Sequence, residues 1–281
     1  MAIASVNSTE IYYEVKGNGP PLLLLPGLGR GTSYFDAIEP ILRKSFRTIV
    51  VDPRGIDRSS KVDKALTAEV WADDFAALLD ALAIPRGHVL GSSHGASMAM
   101  AMALRHPTKV SSLILFGAFS ELNRFITLNL NLRIRLAHKL GMGEDMRDFI
   151  ALWTFGHEFL DNEKADEFLA AHLKAVKEHT PERYEIICKS MLHWGRRLPG
   201  QENEPLVTSQ LGRISCPTLV VGSGNDFWIP AKFSKLIAEK IPNARYVELP
   251  CGHIAVREDP AGCTKLIEEF INNLDGKRSK K

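Results

Sequence analysis

The chain has 281 residues, 45% of them hydrophobic and 24% charged, which suits one α/β domain with a large buried core and an insertion. A formal net charge of +2 excludes the basic excess of a nucleic-acid-binding protein, and the cationic run Lys277–Lys281 reads as a solvated, disordered tail spanning 276–281. No apolar run reaches the roughly 18 residues of a membrane span, Met1–Glu10 lacks a basic leader and an apolar signal core, and the 4 cysteines form no CxxC pattern, so the expected setting is the cytosol, without membrane or nucleic-acid partners.

The first elements in chain order are strands. Ile3–Val6 and the alternating Thr9–Val15 suit a half-buried pair joined by a short turn. After Gly17-Asn18-Gly19-Pro20 comes the continuous apolar run Pro21–Leu25, which has the length and character of a strand covered on both faces. Thr48–Val51, His88–Leu90, Val110–Phe116, Thr218–Val221 and Arg245–Leu249 complete the strand candidates. The amphipathic stretches Trp71–Ala83, Ala96–Arg105, Ala231–Ile241 and Ala261–Asn272 alternate with them, which predicts βαβ units and a mostly parallel, eight-stranded sheet flanked by helices. Between 120 and 210 the rhythm breaks: the sequence carries helical periodicity and charge but no strand candidate. This segment reads as a helical cap over the carboxyl edge of the sheet, where open α/β sheets bind ligands. It divides the chain into a core of 1–119 and 211–275 and a cap of 120–210.

Gly91-Ser92-Ser93-His94-Gly95 is the strongest local signal. It follows a strand candidate and opens a helix of small residues, the context of a G-x-S-x-G nucleophile elbow. Glycine-sized neighbours let strand and helix approach closely, and the serine then sits at a helix N-terminus that favours developing negative charge. Ser93 is in register for the elbow and Ser92 is not; a structural glycine-rich turn is the bland alternative.

A serine hydroxyl needs an adjacent base. Of the nine histidines, His253 is best placed, in Pro250-Cys251-Gly252-His253 just beyond the last strand candidate. A carboxylate must hold the imidazole in one tautomer. Asp226, in Gly222-Ser223-Gly224-Asn225-Asp226-Phe227-Trp228-Ile229-Pro230, is the candidate, with Glu121 as the competing acid. The oxyanion of an acyl transfer needs pre-aimed donors. The backbone N–H groups of His94 and of Leu28, in Leu25-Pro26-Gly27-Leu28-Gly29, are the candidates.

Together these features resemble the α/β-hydrolase superfamily, within its 3-oxoadipate enol-lactonase-like and haloperoxidase-like branch, from about Glu10 to about Phe270. The order Ser93, Asp226, His253, the turn Asp52-Pro53-Arg54-Gly55-Ile56-Asp57-Arg58-Ser59 and the stretch Leu152–Leu160 carry the resemblance. The chain departs from the pattern with Pro26-Gly27 where His-Gly is usual and Asp57 where glycine is common. The resemblance implies an α/β-hydrolase fold and an acyl-enzyme mechanism on a small ester or lactone, with no cofactor and no metal.

Ser93 argues against epoxide hydrolases and haloalkane dehalogenases, whose nucleophile is an aspartate. Carbon–carbon bond hydrolysis and perhydrolysis share the same triad, and a ligand sensor with slow turnover would use the same fold. No HExxH and no G-x-G-x-x-G occur in the required contexts. Leu28, Phe119, Trp153, Phe155, Trp194, Phe227 and Trp228 are the candidates to line a mostly apolar pocket; any of these aromatics could equally pack inside the cap, and Trp153 and Phe155 read more readily as cap core than as lining. The cap histidines His138, His172, His179 and His193 read mostly as solvated helix positions.

Overall fold

A computed structural model describes residues 2–163, 165–196 and 205–278. Eight strands form one sheet: β1 (Ala2–Val6), β2 (Thr9–Lys16), β3 (Pro21–Leu25), β4 (Arg47–Asp52), β5 (Gly87–Ser92), β6 (Val110–Phe116), β7 (Thr218–Ser223) and β8 (Ala244–Leu249). Their order is β1-β2-β4-β3-β5-β6-β7-β8; β2 pairs antiparallel with β1 and β4, and every other pairing is parallel. The sheet and its flanking helices match the expected architecture.

The unbroken apolar runs have a simple cause. Alternate residues of a strand face opposite sides of its sheet, and both sides here are covered. Leu23, Leu25, Val89, Leu113 and Val220 join one buried cluster, with helices α1 (Ala68–Ala81) and α2 (His94–Arg105). Leu22, Leu24, Leu90, Ile114 and Val221 join a second cluster on the opposite face.

Between β6 and β7 the chain forms α3 (Arg124–Leu140), α4 (Glu144–Thr154), α5 (Ala165–Lys177) and α6 (Pro181–His193). Local chemistry starts two of them: the Asn123 side chain accepts from Ile126 N at 2.8 Å, and Thr180 caps α6 ahead of Pro181. After β7 come α7 (Ala231–Lys240) and α8 (Pro260–Arg278). Thus α8 runs three residues into the segment read as a tail, and 279–281 lie outside the described residues. Among the described residues no helix is long and apolar enough to cross a membrane.

Two features shape the carboxyl edge. Asp52 accepts from Thr32 N (2.7 Å) and from Arg58 Nε (2.7 Å), while Ser59 Oγ accepts from Tyr12 N (2.9 Å), so the Asp52–Ser59 turn acts as a structural tie. At the crossing of β5, α2 and β3, a methyl group on Gly91 would collide with Gly95 O, and one on Gly95 with Leu25 O. Only glycine lets the helix start this close to the sheet.

Candidate active site

Ser93 stands between β5 and α2 with φ +56° and ψ −120°. Side chains rarely adopt this backbone, and it persists only where its surroundings enforce it. Here the bond from Ser93 N to Phe116 O (2.8 Å) and the Gly91–Gly95 contact hold it. Ser93 Oγ lies 2.7 Å from His253 Nε2, and His253 Nδ1 lies 2.6 Å from Asp226 Oδ2. All three residues are buried.

The proton positions follow from these partners. Asp226 Oδ1 accepts from Trp228 N at 2.9 Å and Ile229 N at 2.7 Å, which locks the carboxylate. Its other oxygen accepts only, so His253 Nδ1 must carry a proton and Nε2 is left to accept from the Ser93 hydroxyl. Glu121 is exposed, with its backbone against Gly195, and the carboxylate on the imidazole is that of Asp226.

Residues that the sequence reading did not single out hold the imidazole. His253 N donates to Thr154 O at 2.9 Å, so the end of α4 grips the histidine loop. The Glu258 carboxylate accepts from Gly252 N at 2.8 Å and from Gly156 N at 3.3 Å, tying the same two segments together. Burial pushes its pKa up, and the two amides oppose that shift. Gly117 has φ +54°, and a Cβ there would stand 3.1 Å from His253 Cε1. Its place directly after the apolar run of β6 was a usable signal; nothing in the pattern marked Glu258.

His94 is the first residue of α2, so the helix does not use its amide. Leu28 faces the same cavity as Ser93. The His94 ring packs edge-on against Trp71 at 5.3 Å, and neither ring nitrogen has a partner among the described residues. Burial drives its pKa down to about 3, so it stays neutral.

A cavity of about 290 Å³ opens onto Ser93 and His253. Trp228 lines it, touching His253 edge-on at 4.8 Å between ring centres. Phe155 lines it too. The other four aromatic expectations need correction. Phe119 is fully buried in the core, with its carbonyl accepting from Trp194 Nε1 at 2.7 Å. Trp194 borders a separate depression beside Leu104 and Val207. Trp153 packs on Phe125 and Phe149 within its own helical layer. Phe227 is 51% exposed, with its ring edge-on to His157.

The cavity is also more polar than expected. His172 and His179, read as solvated, are buried in its wall. His179 Nε2 donates to Gly29 O at 2.8 Å, and Arg30 Nη1 donates to His172 Nδ1 at 3.4 Å. Burial, with nearby arginines adding to it, lowers the pKa of His172 to about 3; burial lowers that of His179 to about 4. Arg30, Arg133 and Arg257 line the same space. Among the described residues no cluster of three or more His, Cys, Asp or Glu could hold a metal ion.

Comparison with known proteins places this geometry. Residues 20–260 match the family model described as the alpha/beta hydrolase fold. The 2-hydroxymuconate semialdehyde hydrolase of Pseudomonas sp. (strain CF600) is 26% identical over 272 residues, covering 92% of this chain and 89% of its own. A thermophilic esterase from Thermogutta terrifontis superposes with a TM-score of 0.82 at 25% identity, covering 94% of each chain. The enol-lactonase from Burkholderia xenovorans LB400 shares the fold, with a TM-score of 0.83 at 24% identity over 96% of this chain and 100% of its own. With a family match spanning most of its length and a sheet of the same architecture, the chain belongs to the α/β-hydrolase family.

Proposed function

We propose that the protein is a serine hydrolase that cleaves a small carboxylic ester or lactone through an acyl-enzyme intermediate. The observation that carries this reading is the unbroken relay from Ser93 Oγ to His253 (2.7 Å) to Asp226 (2.6 Å), opening onto a cavity large enough for a small substrate.

Ser93 Oγ attacks the carbonyl carbon as its proton passes to His253 Nε2. The imidazolium is held by Asp226. The oxyanion meets the amides of His94 and Leu28, each contributing about 3–4 kcal/mol to the barrier reduction. His253 then protonates the leaving alkoxide and activates water to release the acid. The helices between β6 and β7 serve as the cap that shapes the substrate space. The Pseudomonas relative's name favours a second substrate in the same assays, 2-hydroxymuconate semialdehyde.

The test is covalent labelling by a fluorophosphonate, together with turnover of aryl esters and lactones. Label at Ser93 and turnover, both lost in Ser93→Ala, support the reading. Label that survives the substitution overturns the nucleophile assignment, and binding without turnover identifies a ligand sensor.

A further inference from the structure

Arg133 poses a problem that the hydrolytic machinery does not answer. It projects from α3 with only 2% of its surface exposed. Its Nε donates to Asn129 Oδ1 at 2.8 Å, but its Nη2 is buried without a partner among the described residues. No carboxylate forms an ion pair with it among the described residues. Its other contacts, the Tyr184 hydroxyl and the Trp228 ring, carry no negative charge either. A buried guanidinium without a counter-charge is strongly unfavourable, and arginine cannot escape by giving up its proton. Such a group persists where something outside the fold completes it.

Its position says what that is. Arg133 lines the cavity containing Ser93, and its guanidinium carbon sits 3.9 Å from the ring centre of Trp228. Trp228 in turn contacts His253. One aromatic ring therefore separates the cation from the catalytic imidazole. The surroundings reinforce the sign. Nη1 of Arg30 lies 3.4 Å from His172 Nδ1, which leaves His172 Nε2 as a buried N–H, also without a partner among the described residues. Arg257 spends its guanidinium on the carbonyls of Ser33 and Tyr34 rather than on an acid. The acidic groups facing this space, Asp36 and Glu178, lie exposed where solvent screens them, as does Lys174.

Resting on the serine hydrolase reading, we propose that the substrate carries a carboxylate a few bonds from its scissile carbonyl, and that Arg133 binds this carboxylate. The unpartnered Nη2 donors suit a carboxylate oxygen, and stacking on Trp228 fixes the plane of the guanidinium. The spacer is bounded by the cavity of about 290 Å³ that Arg133 and Ser93 both line.

The full chain is assayed with matched pairs of esters. In one pair the charge is on the acyl side, 4-nitrophenyl hydrogen glutarate against 4-nitrophenyl pentanoate. In the other it is on the alcohol side, 3-acetoxybenzoate against phenyl acetate. We expect kcat/KM to favour the charged member of at least one pair by about tenfold or more. In Arg133→Gln that ratio should fall to within about threefold of unity, a change in specificity that a purely structural arginine would not produce. Equal or better use of the neutral member in both pairs overturns the inference, as does a ratio that survives the substitution.

If the variant does not fold, the wild type decides the matter. Glutarate should compete with neutral-ester turnover where glutaramide does not, and equal inhibition by the two refutes the carboxylate site. If no ester is turned over and Ser93 resists labelling, the hydrolase reading fails separately. A melting temperature raised by glutarate but not by glutaramide would then still support the anion site, and no difference would reject it.

Discussion

Asp226→Asn tests the relay most sharply, because the carboxylate is held from both sides. Its Oδ1 accepts two amides, Trp228 N at 2.9 Å and Ile229 N at 2.7 Å, and only an oxygen can stay there. Asparagine therefore places its amide nitrogen where Oδ2 now faces His253 Nδ1 at 2.6 Å. Two N–H donors cannot face each other at that distance, so the imidazole proton moves to Nε2. That nitrogen then points a hydrogen at Ser93 Oγ instead of a lone pair, and the base is lost. An imidazole trapped in the wrong tautomer costs about 10⁴-fold in kcat, or about 5 kcal/mol of barrier. Because both loop amides keep their acceptor, stability should change by no more than about 1 kcal/mol. Steady-state hydrolysis of the best ester, paired with thermal melting, measures both quantities. Activity within tenfold of wild type would refute the tautomer reasoning. So would an equal loss of activity with a collapsed melting temperature, since the loop itself would then have failed.

Ser93→Gly should abolish turnover yet raise stability by about 1 kcal/mol, because glycine accepts φ +56° without strain; a lower melting temperature would contradict the strained elbow. Glu258→Gln removes one of the two acceptors that join Gly252 and Gly156, and we expect a loss of about 1–2 kcal/mol in stability with a lower kcat. Unchanged kcat would show that the histidine loop does not need this tie. His94 is neutral and buried with a pKa near 3, below its unfolded value of 6.5, so the unfolded chain takes up protons first as pH falls. Its contribution to stability is fully present above about pH 6.5 and is lost at about 1.4 kcal/mol per pH unit on acidification, or about 2 kcal/mol by pH 5. In His94→Met the fall of melting temperature between pH 7 and pH 5 should be shallower than in wild type; an identical slope rejects this assignment.

The strands, the elbow and the order of the three catalytic candidates were legible in the sequence for local reasons. Two-sided burial writes itself as unbroken apolar runs such as Leu22–Leu25, and a strand that turns sharply into a helix demands small residues at Gly91 and Gly95. Asp226 and His253 could be placed because each closely follows a strand of a parallel sheet, and parallel strands bring their ends to one edge. Glu121 follows such a strand as well, and sequence alone left it in contention; only the fold turns it to solvent.

The cavity is the opposite case. Its lining depends on which way single side chains of loops and inserted helices turn, and no periodicity records that for Phe227 against Trp228, neighbours that part to solvent and to the site. His172 and His179 sit on or beside α5 with nothing nearby to distinguish them from solvated residues, yet Phe155 and the Gly29–Arg30 loop, distant in sequence, cover them. Arg133 is an ordinary helical arginine until α3 is laid across Trp228. Backbone preferences act over a few residues and leave their mark in the chain, whereas the burial of a particular charge is decided by partners distant in sequence, and so belongs to the tertiary structure alone.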